Sequence, residues 1–327
     1  MSRPTAQTAA TTYRVVALGG GHGLAATLSA LRRITSDLTA VVTVADDGGS
    51  SGRLRRDFGV LPPGDLRMAL AALCTDDEWG RTWSEVVQHR FQGTGDLHGH
   101  SLGNLLIVAL WEIVGSDPVA GLAWVGQLLK ASGRVLPMST VPLEITATVV
   151  GGDPTQPVAT QLVHGQVAVA TTAGRIVDVE LHPQPPPACP QAVAAVREAD
   201  WLVLGPGSWF TSVIPHLLVP ELAAAIFQTS ARRCLVVNLD PQPGETEGFA
   251  PESHVDVLRR LAPELRLDVV IADDAAVGDV PALRSAAAQL GAELLLAPLR
   301  EETGVPRHSA KHLAQAFQTA FLLPSRQ

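Results

Sequence analysis

The residues best equipped for chemistry are Asp46 and Asp47, which end an apolar run, Leu38 to Ala45, and open onto Gly48-Gly49-Ser50-Ser51-Gly52-Arg53. A carboxylate at the end of a strand can take the hydroxyls of a ribose or sugar, and paired carboxylates can hold Mg²⁺ against a diphosphate. Adjacent aspartates on an extended segment point in different directions, so the pair also reads as one ligand and one solvated neighbour. Upstream, Val15-Val16-Ala17-Leu18 runs into Gly19, Gly20, Gly21, His22 and Gly23. Glycines there let backbone N–H groups converge on an anion, and a helix starting behind them adds its positive end. The expected guest is a phosphorylated nucleotide or sugar; a plain tight turn is the alternative for the first loop taken alone. Trp201 to Leu204 followed by Gly205-Pro206-Gly207-Ser208 repeats the pattern.

The elements that must position these loops follow from periodicity. Leu24, Leu28 and Leu31 recur at helical spacing and predict a helix from about Gly23 to Ile34, broken at Ser36-Asp37. In Pro62-Pro63-Gly64-Asp65-Leu66-Arg67, Asp65 reads as a helix cap or a functional acid. Helices are expected over Trp79 to Phe91 and Gly103 to Val114, with Asn104 in the first turn of the second. From Val141 to Leu181 short alternating runs, Gln166 to Ala170 among them, predict an antiparallel β insertion, followed by a proline-rich connector. Helix and strand then alternate to a last helix near Ser309 to Leu322. The expected fold is α/β, a doubly wound, mainly parallel Rossmann-like sheet in one domain over residues 13–323, with tails at 1–12 and 324–327. Within it lie a helical region at about 65–133, the β insertion at about 141–182 and the connector at 183–190. In such sheets ligands sit beyond the carboxyl ends of the strands, so the glycine loops should converge on one cleft.

Composition narrows the partners. The chain has 327 residues, 46% of them hydrophobic, enough for a full core. Its 24 basic and 32 acidic residues give a net charge of −8 without a basic run, which argues against nucleic acid or anionic lipid. Cys74, Cys189 and Cys234 lie far apart, and His89, His98 and His100 match no standard zinc spacing. Met1 to Thr12 carries no leader-like apolar core and no later stretch is long enough to span a bilayer, so a flexible tail, a cytoplasmic location and no membrane insertion are expected.

Taken together these motifs resemble the gluconeogenesis factor family (YvcK-like), within the CofD-like superfamily of 2-phospho-L-lactate transferases. The resemblance rests on Gly19 to Gly23, Thr43 to Leu54, Pro62 to Arg67, Gly103-Asn104-Leu105, Leu204 to Ser208, Ser212 to Pro215 and Gln242 to Thr246. It implies a bacterial cytoplasmic protein that binds a nucleotide sugar, typically a UDP-sugar, and links carbon supply to envelope synthesis and cell shape. No catalysed reaction comes with that family. The related transferases use a divalent cation to join a phosphorylated lactate to a deazaflavin alcohol, which makes a Mg²⁺-dependent transferase the alternative. This chain departs from the family pattern with His22 where threonine is common, and with Ser309 where an acid follows Arg307-His308.

On the binding reading, Gly19 to Gly23 and Gly205, Gly207 and Ser208 contact the diphosphate or sugar, Asp46 takes hydroxyls, and Asn104 and Asn238 read a base or sugar edge. Asp47, Gly48, Gly49, Ser50, Asp65, Arg67 and, for a phosphate, Arg307 complete the expected contacts. On the transferase reading Asp46 and Asp47, with Asp65 nearby, hold Mg²⁺, while Arg53 or Arg67 supplies a second cation. No nucleophile or general base is evident. Adventitious NAD binding fits the strand-loop-helix outline, but Gly-Gly-Gly-x-Gly departs from Gly-x-Gly-x-x-Gly, and the one tyrosine, Tyr13, sits near the N-terminus, which disfavours hydride transfer. Trp209 and the segment Ile214 to Pro220 are expected at the surface of a homodimer.

Overall fold

The computed structural model describes residues 13–324 apart from 116, 154, 243, 303 and 304, so the expected tail at 1–12 lies outside the described residues. In chain order the first half comprises β1 (Arg14–Gly19), α1 (Gly21–Leu31), β2 (Asp37–Val42), α2 (Gly49–Phe58), α3 (Pro63–Ala72), α4 (Glu78–Gln88), α5 (Leu102–Ile113), α6 (Pro118–Leu129) and β3 (Arg134–Pro137). The insertion comprises β4 (Glu144–Val150), β5 (Thr160–His164), α7 (Gln166–Ala170) and β6 (Arg175–His182). The second half runs through α8 (Pro190–Glu198), β7 (Trp201–Leu204), a π-helical turn (Trp209–Val213), α9 (Pro215–Leu218), α10 (Pro220–Gln228) and β8 (Arg232–Val236). It ends with α11 (Pro251–Leu261), β9 (Val269–Asp273), α12 (Val280–Gln289), β10 (Glu293–Ala297) and α13 (Ala310–Leu322).

The central strands are continuous apolar runs because both their faces are covered by helices; β1 and β2 are each buried at every residue after the first. Seven strands pair in parallel in the order β10-β9-β8-β7-β1-β2-β3. The first half of the chain winds outward from β1 and the second from β7, so the switch point falls between these neighbours. Both of their carboxyl ends carry glycine loops, as the doubly wound reading requires. A separate antiparallel sheet, β5-β4-β6, forms the insertion.

The differences from expectation are local. Helix α1 starts at Gly21, two residues earlier than predicted, because Gly20 is its extended N-cap. Helix α2 occupies Gly49–Phe58, which the Gly-Ser run disguised as loop. Gln166 to Ala170 is a short helix rather than a strand, since Gly165 turns the backbone at φ +90° and Asp47 accepts from the N–H of Val167. Helices α6, α11 and α12 and edge strand β3 escaped the periodicity reading. Trp209 is fully buried and stacks edge-on against His254, and Ile214, His216, Leu217 and Val219 are also buried. Trp209 and most of that segment thus belong to the core rather than to an exposed interface, and only Leu218 and Pro220 reach the surface. No helix among the described residues is long and apolar enough to cross a membrane.

Candidate functional site

Loop 1, Gly19 to Gly23, delivers the chain into α1 with no side-chain cap, leaving first-turn N–H groups to partners outside the helix. One is taken by Asp65, whose carboxylate accepts from the N–H of Gly21. Asp65 therefore does not cap α3, whose N-cap is Pro62, but reaches across to the start of α1. The packing explains the glycines: a Cβ at position 20 would lie 2.5 Å from Asp65 Oδ2 and 3.1 Å from Ser212 Oγ. At position 23 a Cβ would overlap the Pro206 carbonyl and stand 2.7 Å from Gly207 Cα, so loops 1 and 3 meet backbone to backbone.

Loop 2 separates its two aspartates. Asp46 turns inward, accepting from Gly48 N at 2.9 Å and from the Ser51 hydroxyl. A Cβ on Gly64 would lie 3.0 Å from Asp46 Oδ2, which places Asp46 beside the first turn of α3 and hence beside Asp65. Burial raises the Asp46 carboxyl, and burial followed by the charge of Asp46 pushes Asp65 up to about 7. Asp47 turns away to Val167 N, while Asp65 lies near enough to Asp46 to feel its charge. Any shared cation would be held by that pair. Helices α1, α2 and α3 all begin here without a side-chain cap, and their positive ends surround the two acids.

Behind Asp46 sits a buried polar network that the sequence did not foretell. Ser50 Oγ lies 3.0 Å from His100 Nδ1, while Asn104 Nδ2 and Ser101 N approach the same oxygen at 3.0 and 3.4 Å. With both lone pairs occupied, the Ser50 proton points to the imidazole; the pair resembles a nucleophile and base but leaves the oxygen no lone pair to attack with. Arg67 is 5% exposed and donates to Ser101 Oγ at 2.7 Å, and burial lowers its guanidinium to about 10. Ser50 and Asn104 thus brace the start of α5 against α2, and Arg67 braces it against α3 while its charge acts on Asp65 and Asp46. Arg53 is spent on the carbonyls of Asp96 and His98 and is not a second cation in the cleft. Gly49, at φ +46°, has nothing around its Cβ position and stands open. His89 and His98 are exposed and distant in role from His100, and among the described residues no three His, Cys, Asp or Glu side chains group as a metal site.

Loop 3 is closed on itself. Gly207 N donates to Asn238 Oδ1 at 2.9 Å, and Asn238 Nδ2 returns a bond to the Gly207 carbonyl at 2.8 Å. Asn238 therefore clamps the loop rather than reading a base. Glu245, 4% exposed, accepts from the N–H groups of Trp209, Phe210 and Thr211 at 3.1, 2.9 and 3.0 Å and from the Ser208 hydroxyl. The donors expected to cradle a diphosphate at Gly205, Gly207 and Ser208 are largely consumed by the protein itself: Gly205 N donates to the Leu18 carbonyl. Glu245 lies in the Gln242 to Thr246 run that carries the family resemblance, and neither its type nor its spacing announces a clamp on the backbone after loop 3.

On the outer side of loop 1, His22 and Arg307 line a groove of about 620 Å³ between α1, α3, α4 and the segment leading into α13. Arg307, 74% exposed at its side chain, lies 3.5 Å from Glu301, and Arg32, Arg81 and His308 share the groove. His22 thus serves this groove, which runs along α1 from its first turn to Arg32, and not the floor formed by Asp46 and Asp65.

Comparison with known proteins agrees with this architecture. The family model for 2-phospho-L-lactate transferase CofD matches residues 15–293. A putative gluconeogenesis factor of Mycobacterium tuberculosis is 54% identical over 303 residues, 92% of this chain and 88% of that one. The gluconeogenesis factor of Listeria monocytogenes is 36% identical over 317 residues, covering 93% and 94%. A crystal structure of a UPF0052 family member from Bacillus halodurans superposes with a TM-score of 0.82 at 32% identity, covering 94% of this chain and 99% of that one. The chain belongs to the CofD-like family, among its gluconeogenesis factors.

Proposed function

We propose that this protein is a cytoplasmic regulator that binds a nucleotide sugar, a UDP-sugar in particular, and ties central carbon metabolism during gluconeogenic growth to cell-envelope synthesis and cell shape. The observation that carries the ligand class is that His22, in the first turn of the uncapped helix α1, and Arg307, 285 positions later, line one groove that runs along α1. A diphosphate there would receive first-turn N–H groups and the Arg307 guanidinium. The groove volume falls in the range of small-molecule sites, and Asp46 and Asp65 beyond the loop offer acceptors for sugar hydroxyls.

Calorimetry with UDP-N-acetylglucosamine tests this, with UDP-glucose, GDP and NAD as comparators, with and without Mg²⁺, while the mixtures are assayed for turnover. Selective micromolar binding of a UDP-sugar without product supports the regulator; equal affinity for all four ligands removes it. The second reading, a Mg²⁺-dependent transferase acting on a nucleotide-diphosphate donor, is favoured by the nearness of Asp46 and Asp65. Two carboxylates held together against their repulsion suit a divalent cation, which would neutralise charge on a diphosphate. Mg²⁺-dependent consumption of a nucleotide would establish it.

A further inference from the structure

The second aspartate of loop 2 has a partner 120 residues away: Asp47 Oδ1 accepts from Val167 N at 3.0 Å, at the start of α7. The other carboxylate oxygen fills the space a Cβ on Gly165 would need, and Gly165 sits at φ +90°. Val167 Cγ2 rests 2.8 Å from the Cβ position of Gly48. At the opposite end of α7, the Ala170 carbonyl and the Thr171 backbone lie 3.0 Å from the Cβ position of Gly244. Gly244 directly precedes Glu245, which holds the chain after loop 3. Helix α7 therefore bridges loop 2 to the support of loop 3. Glycines at φ +90° and +92°, Gly165 and Gly174, bracket it. Val169 is fully buried beneath it, while Val167 remains 50% exposed.

We propose that α7 is a lid on the ligand cleft and that Asp47 is its latch, a positioning residue that acts through the insertion rather than by touching ligand. The proposal rests on the reading that the cleft takes a nucleotide sugar. Because Asp46 and Asp47 are adjacent, a ligand drawn to Asp46 pulls on the peptide that carries the latch. The apolar Val167, which already rests over Gly48, is thereby held in place to shield the acids from water, which strengthens polar contacts beneath it.

The test is amide hydrogen exchange on the full-length protein, alone and with UDP-N-acetylglucosamine, for wild type and Asp47→Asn. In the ligand-free protein the variant should exchange the amides of Val167 to Ala170 at least tenfold faster while its thermal midpoint stays within about 2 °C of wild type. Gly165→Ala, which drives a methyl into the Asp47 carboxylate, should show the same exchange. With the nucleotide sugar, α7 of the wild type should become protected and the variant should release ligand several-fold faster at a similar association rate. Unchanged α7 exchange in ligand-free Asp47→Asn overturns the latch, and protection at loops 1 and 2 without protection at α7 overturns the lid. If calorimetry finds no nucleotide-sugar binding, the ligand reading fails, and the ligand-free comparison still decides the latch.

Discussion

Loop 1 leaves the start of α1 without a side-chain cap, whereas loop 3 surrenders its donors to Asn238, Glu245 and Leu18. Both follow buried parallel strands, both contain Gly-x-Gly, and they touch at Gly23 and Pro206. The same sequence signal thus yields a receptive turn in one place and a self-satisfied scaffold in the other. What separates them is a carboxylate delivered from elsewhere: Glu245 fills loop 3 as an internal substitute for an anionic guest. Asp65 takes only one N–H of loop 1 and leaves the rest of that turn accessible.

The contact between the two loops is the place to break this arrangement most severely. Gly23→Val drives a side chain into the Pro206 carbonyl and the Gly207 backbone, and should cost more than about 4 kcal/mol in urea unfolding. Glu245→Ala orphans three buried N–H groups and should cost about 3 kcal/mol, with Gln recovering part of it. A Glu245→Ala protein of undiminished stability that loses nucleotide-sugar affinity would reverse the assignment of loop 3 as scaffold.

Asp65 sharpens the comparison through pH. Its folded carboxyl titrates near 7 against 3.8 for the free group, so the folded state holds the proton more tightly. The sign is that stability from this group is complete below about pH 4 and is lost as pH rises through 7. Asp65→Asn should therefore gain stability relative to wild type at pH 8 and lose that advantage at pH 4, read by thermal unfolding across the range. Asp46→Ala should weaken UDP-N-acetylglucosamine binding about tenfold, or about 1.4 kcal/mol, without unfolding the protein. Arg307→Ala, acting from an exposed position, should cost only about threefold, and its unfolding curve should not move.

Much of this was legible in the sequence. The strand-loop-helix rhythm located β1, β7 and their loops, since continuous apolar runs before glycines are what buried parallel strands require. Helix α2 was not legible: Gly49-Ser50-Ser51-Gly52 has poor helix propensity, and its helix is held by the close approach of Gly52 to the Asp47 carbonyl and by the network around Ser50. Helix α7 reads as a strand because Val167 and Val169 alternate; only Gly165 and the remote Asp47 make it a turn of helix. At the site, Asp46 and the glycines of loop 1 could be read from type and position. The roles of Asp65, Asp47, Asn238 and Glu245 could not, because each is defined by a backbone group that lies 31 to 120 residues away.

The pairing of β1 with β7 has a consequence for how the protein comes into being. Strand β1 is synthesised long before its neighbour on one side, which is completed only at Leu204, and the groove awaits Arg307. A nascent chain that has emerged only through the insertion can pair β1, β2 and β3 and holds Arg32 and Arg81, but it lacks loop 3 and Arg307. On the proposed reading of the groove, its full set of cations is therefore assembled late on the ribosome, only after Arg307 has emerged, however well the first half has folded.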